Sequence, residues 1–511
     1  MDVGQRGSSG IRALPGPLRP LCLAREVRIT PQAALAGVMV LAVAMRFVSL
    51  GRNSLWDDEA FVVWVVRHGW REILPILRQG DVHPPLYYVL IKAWTSLAGT
   101  GEAALRFPSA CFAAVSVALT YVLMRRIAAE GTALLSAFLV AVSPFQVMAA
   151  QDARMYALLG ALALASTLVL HEGAVRGGPK PWAAYSILAA LMLYTHDFAF
   201  LALAAHGAWA LLYARRRFGL WLAAAAVAII FYAPWLPSLW AQILQAAGSS
   251  LLPSSSPNVI VGDTIGMLSF GGSLFGMGDF FRRGTLGPAG QFVVLLPFLA
   301  VLWRGLAGRE RPDIALIAMP LGLTLAVLVA FRLAVPIFFA RWVSFLGPFY
   351  LMLLARGIVD IGARAPERWR AWTTIVVTGA LLAYGMPALA DYYLDTTSRR
   401  DWRGVSTVVA QGMGPHDVGL FVGRATAQLP FSYYLPGLPS VTTDLRRPIA
   451  EPQLRWLAAR YPRMWLIVAR PYSPYGPYMR AFFPALGKAY QVVGAHDFKG
   501  QIWVYLLRAV K

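Results

Sequence analysis

The chain has 511 residues, of which 58% are apolar and 14% charged, with a mean hydropathy of +0.56. That balance excludes a soluble globular protein of this length and points to a chain crossing a membrane many times. The net charge of +21 would suit nucleic-acid binding, but Lys and Arg cluster in short loops between apolar runs, as on the cytoplasmic side of membrane proteins.

Residues 1–31 are rich in Gly, Pro and Arg and carry no apolar stretch ending in a small-residue cleavage site, so they read as a cytoplasmic arm. Its Cys22 and the Cys111 of an apolar segment form no disulfide framework. Apolar runs near or above membrane-crossing length follow at 32–50, 105–124, 131–149, 153–171, 181–197, 198–214, 218–238, 289–303, 314–334, 337–355 and 372–391. A further run, 83–99, is settled by the positive-inside rule. If it crossed, Arg125 and Arg126 and every later basic loop would fall outside; if it stays on the outer surface, all of them lie inside. The expectation is a polytopic α-helical membrane protein of about eleven spans, with 84–99 an interfacial or partly re-entrant helix in a first outer loop, 52–104.

With this parity the outer face collects "WDDEA", "DVHPPLYY", "AQDARMY", "YTHDF" and "FFARW". Ionisable groups at a membrane boundary are functional candidates. Asp57, Asp58 and Glu59 stand side by side in front of an apolar stretch. A carboxylate there can take a proton from an attacking hydroxyl, a role that falls to Asp58. Glu59 could position an acceptor or a metal, while Asp57 suits a helix N-cap. His83 precedes Pro84 and Pro85, which fix an extended entry and aim His83 and Asp81 at the acidic loop; it is equally a structural hydrogen-bonder or a ligand. In "AQDARMY", Asp152 and Tyr156 share a helix face by their i, i+4 spacing and Arg154 points elsewhere. Arg154 and Arg341, two outside arginines on an apolar background, suit an anionic head group such as a phosphate. His196 and Asp197, at the tip of a short hairpin of spans, fit a solvated turn better than a position facing the site, and His206, in mid-span, an interhelical hydrogen bond. The outer loop 239–288 reads equally as a flap or a connector.

The block 32–392 gives way at 393–511 to short β-rich runs at 417–423, 463–470 and 501–508, alternating with helical patterns near 401–411, 450–460 and 476–486. This reads as a small extracytoplasmic α/β domain without a Gly-rich phosphate loop.

The ordered set "LWDDEAF", "HPPLYYVLIKAW", "LRFPSA", "AQDARMYALL", "YTHDF" and "ARWVSFLGPFYLMLLARG" resembles the GT-C superfamily of membrane glycosyltransferases, in its protein O-mannosyltransferase-like (glycosyltransferase family 39) and aminoarabinose-transferase-like branch. The resemblance covers about residues 32–360. It implies a GT-C fold, a polyprenyl-phosphate-linked sugar as donor, and inverting transfer to an acceptor on the extracytoplasmic side of a cell membrane, in composition that of a bacterial inner membrane. The family's acidic pair falls on Asp58 and Glu59, with Asp58 as base, and its second acidic position on Asp152. Arg154 and Tyr156 then line the site, Arg341 holds the donor phosphate, and Trp342 departs from the usual arginine–tyrosine pair; His83, from its own position, is the further candidate for that phosphate. A divalent cation is possible under this resemblance but not required. Two other classes fit the outer polar cluster: a ligase or acyltransferase acting on lipid-linked glycans, and a lipid or glycan transporter. The latter usually carries midplane charges and internal repeats.

Overall fold

The computed structural model describes residues 30–248, 257–271, 288–308, 311–331, 340–394, 400–422, 428–443, 449–469, 476–498 and 502–510. Most of the arm, with Cys22, lies outside the described residues. Within the described residues, each expected apolar run falls largely on helix. Among the described residues, six helices are long and apolar enough to cross a membrane: Glu102–Ile127, Tyr156–Arg176, Arg215–Leu244, Arg311–Ala330, Arg341–Arg364 and Glu367–Leu394. A bent pair, Glu130–Val142 and Pro144–Ala150, makes a seventh if counted as one span. Pro31–Phe47, Ala199–Tyr213 and Val293–Leu306 are apolar but shorter, so length and composition carry six or seven of the eleven expected crossings.

The 59° bend at Ser143 has a local cause. Pro144 has no N–H to return to the Val140 carbonyl, and the chain leaves helical geometry at Ser143. Arg46, fully buried at the end of Pro31–Phe47, satisfies the freed acceptors. Its guanidinium donates to Val140 O (3.0 Å) and Ala141 O (3.0 Å). Gln151 closes the other side, donating to the Arg46 and Val48 carbonyls and accepting from the Tyr392 hydroxyl at 2.9 Å. Elsewhere two helices cross through small residues. A Cβ at Gly305 would sit 1.9 Å from Leu353 O, and one at Gly357 2.0 Å from Val301 O. Only glycine permits that approach.

The segment 52–104 contains three helices, Asp57–Arg67, Trp70–Gly80 and Leu86–Ala98. The last has 13 residues. At ~1.5 Å per residue it is about 20 Å long, short of the ~30 Å hydrocarbon layer. Within 239–288, the helix Pro257–Phe270 buries Ile265, Met267 and Leu268, and Ser269 Oγ lies 2.6 Å from the Tyr350 hydroxyl. This part is packed into the bundle, whereas 249–256 and 272–287 lie outside the described residues.

The C-terminal part is a five-stranded mixed sheet of order β2-β1-β3-β5-β4. Its strands are β1 (Val418–Val422), β2 (Ser440–Thr443), β3 (Arg463–Ala469), β4 (Tyr490–Phe498) and β5 (Ile502–Ala509). β1 runs parallel to β2 and β3, while β5 is antiparallel to β3 and β4. Alternate residues serve opposite faces. Leu420, Leu466 and Val468 pack with Leu454 and Phe482, while Phe421, Trp465 and Ile467 pack with Trp402, Val405 and Phe431. Helices therefore cover both faces. β2, β4 and the helix Gln428–Tyr434 were not expected; β4 is largely exposed and bulged at Val492–Gly494, so it shows no alternation to read.

This part is tied to the segment 52–104. The Tyr434 hydroxyl accepts from Leu55 N (2.8 Å) and donates to Glu102 (2.9 Å), and the Tyr433 hydroxyl donates to Thr100 O (2.9 Å). Arg403 pairs with Glu102 at 2.5 Å.

Candidate active site

The three consecutive acids open the helix Asp57–Arg67, where carboxylates suit the N-terminal dipole, and each meets a different arginine. Glu59 is fully buried. Arg106 donates to it through Nε and Nη2, both at 2.7 Å, and Ala153 N donates at 2.9 Å. Arg106 also donates to the Leu50 and Asn53 carbonyls, so the pair fixes the loop before the acids. Asp57 is not the N-cap; Trp56 holds that position, and Asp57 instead pairs with Arg400 at 2.5 Å. Asp58 pairs with Arg341 at 3.0 Å, and its side chain keeps 31% of its surface exposed. Of the three, it has the open edge.

Arg154 lies at the centre of the site. The expected shared helix face of Asp152 and Tyr156 is corrected here. Residues 151–155 form a turn after Pro144–Ala150, and the next helix begins only at Tyr156. That turn sends Arg154 inward, 3% exposed, with one guanidinium nitrogen 3.2 Å from the Tyr88 hydroxyl and 3.5 Å from Asp58 O. Tyr88 donates to Asp81 Oδ2, and His83 Nδ1–H donates to Asp81 Oδ1 at 2.8 Å. Burial works against the Asp81 charge, but His83, Arg154 and Tyr88 together hold its carboxyl well below the usual range. Burial also opposes the Arg154 charge, and the surrounding Tyr88, Asp58, Tyr156 and Asp81 outweigh it. Arg154 is thus a fixed cation linked to Asp81 through a tyrosine.

Asp152, 2% exposed, accepts from the Trp56 indole at 2.8 Å, and the Arg341 guanidinium lies over the Trp56 ring at 4.9 Å. Trp56 therefore joins the two acidic segments. Trp342 packs edge-on against Phe198, whose segment carries His196. The solvated-turn expectation for His196 does not hold. It is 4% exposed, with its ring centroid 5.1 Å from that of His83 and 6.1 Å from that of Tyr156. Burial, then His83 and Arg154, push its pKa well below the ordinary value, so it is neutral. Asp197 accepts from the Tyr232 hydroxyl at 3.0 Å, and burial raises its pKa to about 7. His206 meets Thr167 (2.9 Å) and Tyr185 (3.0 Å) from neighbouring helices, as expected.

Asp58, Asp152, Arg154, Tyr156, His83 and Arg341 thus gather around one region, with Glu59 beneath it. Sequence reasoning gave no role to Arg106, Trp56, Tyr88 or Arg400. Arg106 had a readable signal, because a guanidinium inside an apolar run needs a buried carboxylate. Among the described residues no three His, Cys, Asp or Glu side chains are grouped to hold a metal ion. The three consecutive acids each have a guanidinium as counter-charge, an arrangement that does not fit a divalent cation held by this trio.

Residues 82–238 match a family model described as dolichyl-phosphate-mannose-protein mannosyltransferase. A comparison with curated proteins finds no match. Among solved structures, the chain is similar to ArnT from Cupriavidus metallidurans in the apo state, with a TM-score of 0.59 and 12% identity, over 93% of this chain and 98% of that one. The same enzyme bound to undecaprenyl phosphate aligns with a TM-score of 0.54 and 14% identity, over 92% and 97%. The oligosaccharyltransferase of Archaeoglobus fulgidus in the apo form aligns with a TM-score of 0.54 and 12% identity, over 94% of this chain and 75% of that one. By fold, and by the motifs of its residues 82–238, the chain is similar to the GT-C membrane glycosyltransferases of the ArnT and protein-mannosyltransferase type, the resemblance that its ordered motifs carry.

Proposed function

We propose that the protein is an inverting glycosyltransferase that moves a sugar from a polyprenyl-phosphate carrier to an acceptor hydroxyl or amine on the extracytoplasmic side of a bacterial inner membrane. The observation that carries this reading is the division of labour among the three acids. Asp57 and Glu59 are committed to Arg400 and Arg106, and Asp58 alone keeps an open edge beside a cation, Arg341. Asp58 takes the proton of the acceptor as its oxygen or nitrogen bonds to sugar C1. The bond from C1 to the phosphate oxygen breaks, and the electron pair leaves with polyprenyl phosphate. Arg341 and Arg154 face that phosphate with His83, and Asp152 and Tyr156 complete the wall of the site. Positive charge aimed at the leaving oxygen is the main electrostatic contribution such a reaction needs. Glu59 positions the loop and does not meet substrate. The similar ArnT bound to undecaprenyl phosphate supports a carrier of this class.

In topology, the N-terminus lies in the cytoplasm, eleven helices cross, and residues 393–511 stand outside above the first outer loop, where an acceptor would arrive. Purified protein supplied with a panel of undecaprenyl-phosphate hexoses and pentoses, and native membrane extract as acceptor source, should release undecaprenyl phosphate from at least one donor. No release from any donor by folded protein would reject the reaction.

A further inference from the structure

We propose that His196 and Tyr156 form a binding subsite for a hydroxyl of the glycosyl unit carried on the lipid. This rests on the reaction proposed above. Phe198 N donates to His196 Nδ1 at 3.1 Å, so the ring proton sits on Nε2. Nε2 is buried and has no hydrogen-bond partner among the described residues, and the same holds for the Tyr156 hydroxyl, in a side chain 3% exposed. Two buried donors without partners in adjoining rings are costly unless something pairs with them.

The surroundings say what that partner is. His196 is neutral, held so by burial and by His83 and Arg154 nearby. A neutral N–H and a phenol complement a sugar hydroxyl, whose oxygen has two lone pairs and accepts from both His196 Nε2–H and Tyr156 Oη–H. A phosphate, which only accepts, is better met by Arg154 and Arg341. The ring of His196 is clamped by His83, Tyr156 and Phe198, so its donor is fixed in place.

The test compares binding of glycosylated and bare carrier, which needs no turnover. Wild type, His196→Leu and His196→Gln would be titrated with undecaprenyl phosphate and with the undecaprenyl-phosphate sugar that wild type binds most tightly. Thermal unfolding of each variant would be followed in parallel. His196→Leu should weaken the glycosylated carrier by about tenfold to a hundredfold and leave the bare carrier within about twofold, while His196→Gln, which keeps an N–H, retains most of the affinity. Equal weakening of both carriers, or unchanged binding of both, in a variant that unfolds like wild type would overturn the subsite and leave the carrier reading standing. Failure of wild type to bind either carrier would overturn both. A Leu variant that does not fold transfers the decision to Tyr156→Phe, where the same selective loss is expected and its absence is decisive.

Discussion

Asp57, Asp58 and Glu59 are adjacent and chemically alike, yet their surroundings give them different work. Glu59→Gln would leave Arg106 as a buried cation with a weakened partner, and losing such a pair costs about 3–5 kcal/mol. We expect loss of folded protein, read as yield and thermal midpoint in detergent. Asp57→Asn should change turnover by less than about tenfold, because a partly exposed ion pair contributes on the order of 1 kcal/mol. Asp197 gives a pH signature. Its pKa rises from 3.8 to about 7 in the fold, so the folded state holds a proton that the unfolded chain has lost. Stability from this group is present below the ordinary value and is lost as pH rises toward about 7. Asp197→Asn should therefore gain thermal midpoint relative to wild type between pH 5 and pH 7.5, as about pH 4–7 is the linkage window. A constant difference over that range would contradict the assignment.

Whether a motif was readable depended on whether its element was regular. The apolar runs were legible from hydrophobic length, and the run at 84–99 forms a helix of only 13 residues. "AQDARMY" was misjudged because it straddles a turn, where i, i+4 spacing has no meaning. His196 was misjudged because a short polar link between helices looks the same in sequence whether it faces water or a site. Arg46 sits inside an apolar helix, and its use becomes visible only once Pro144 is seen to free the Val140 carbonyl. Arg46→Leu should lower the thermal midpoint by several degrees, since orphaning buried acceptors costs about 1–3 kcal/mol each. Pairing it with Pro144→Ala, which restores the N–H, should recover part of that loss.

At the scale of the whole molecule, the sheet domain is joined to the loop that carries the acids. Arg400 reaches Asp57, Arg403 reaches Glu102, and Tyr434 accepts from Leu55 N, just before the acids. These long-range partners have no local sequence signal, whereas β1, β3 and β5 were legible as apolar strands. If the central claim is right, the reaction depends on Asp58 and not on the acid beside it. The direct measurement is single-turnover release of undecaprenyl phosphate from its glycosylated form by wild type, Asp58→Asn and Asp57→Asn, each shown to unfold at a similar temperature. Removing a general base should slow release by about a hundredfold to ten-thousandfold in Asp58→Asn, with Asp57→Asn close to wild type. Release by Asp58→Asn at the wild-type rate, or an equal loss in both variants, would contradict it.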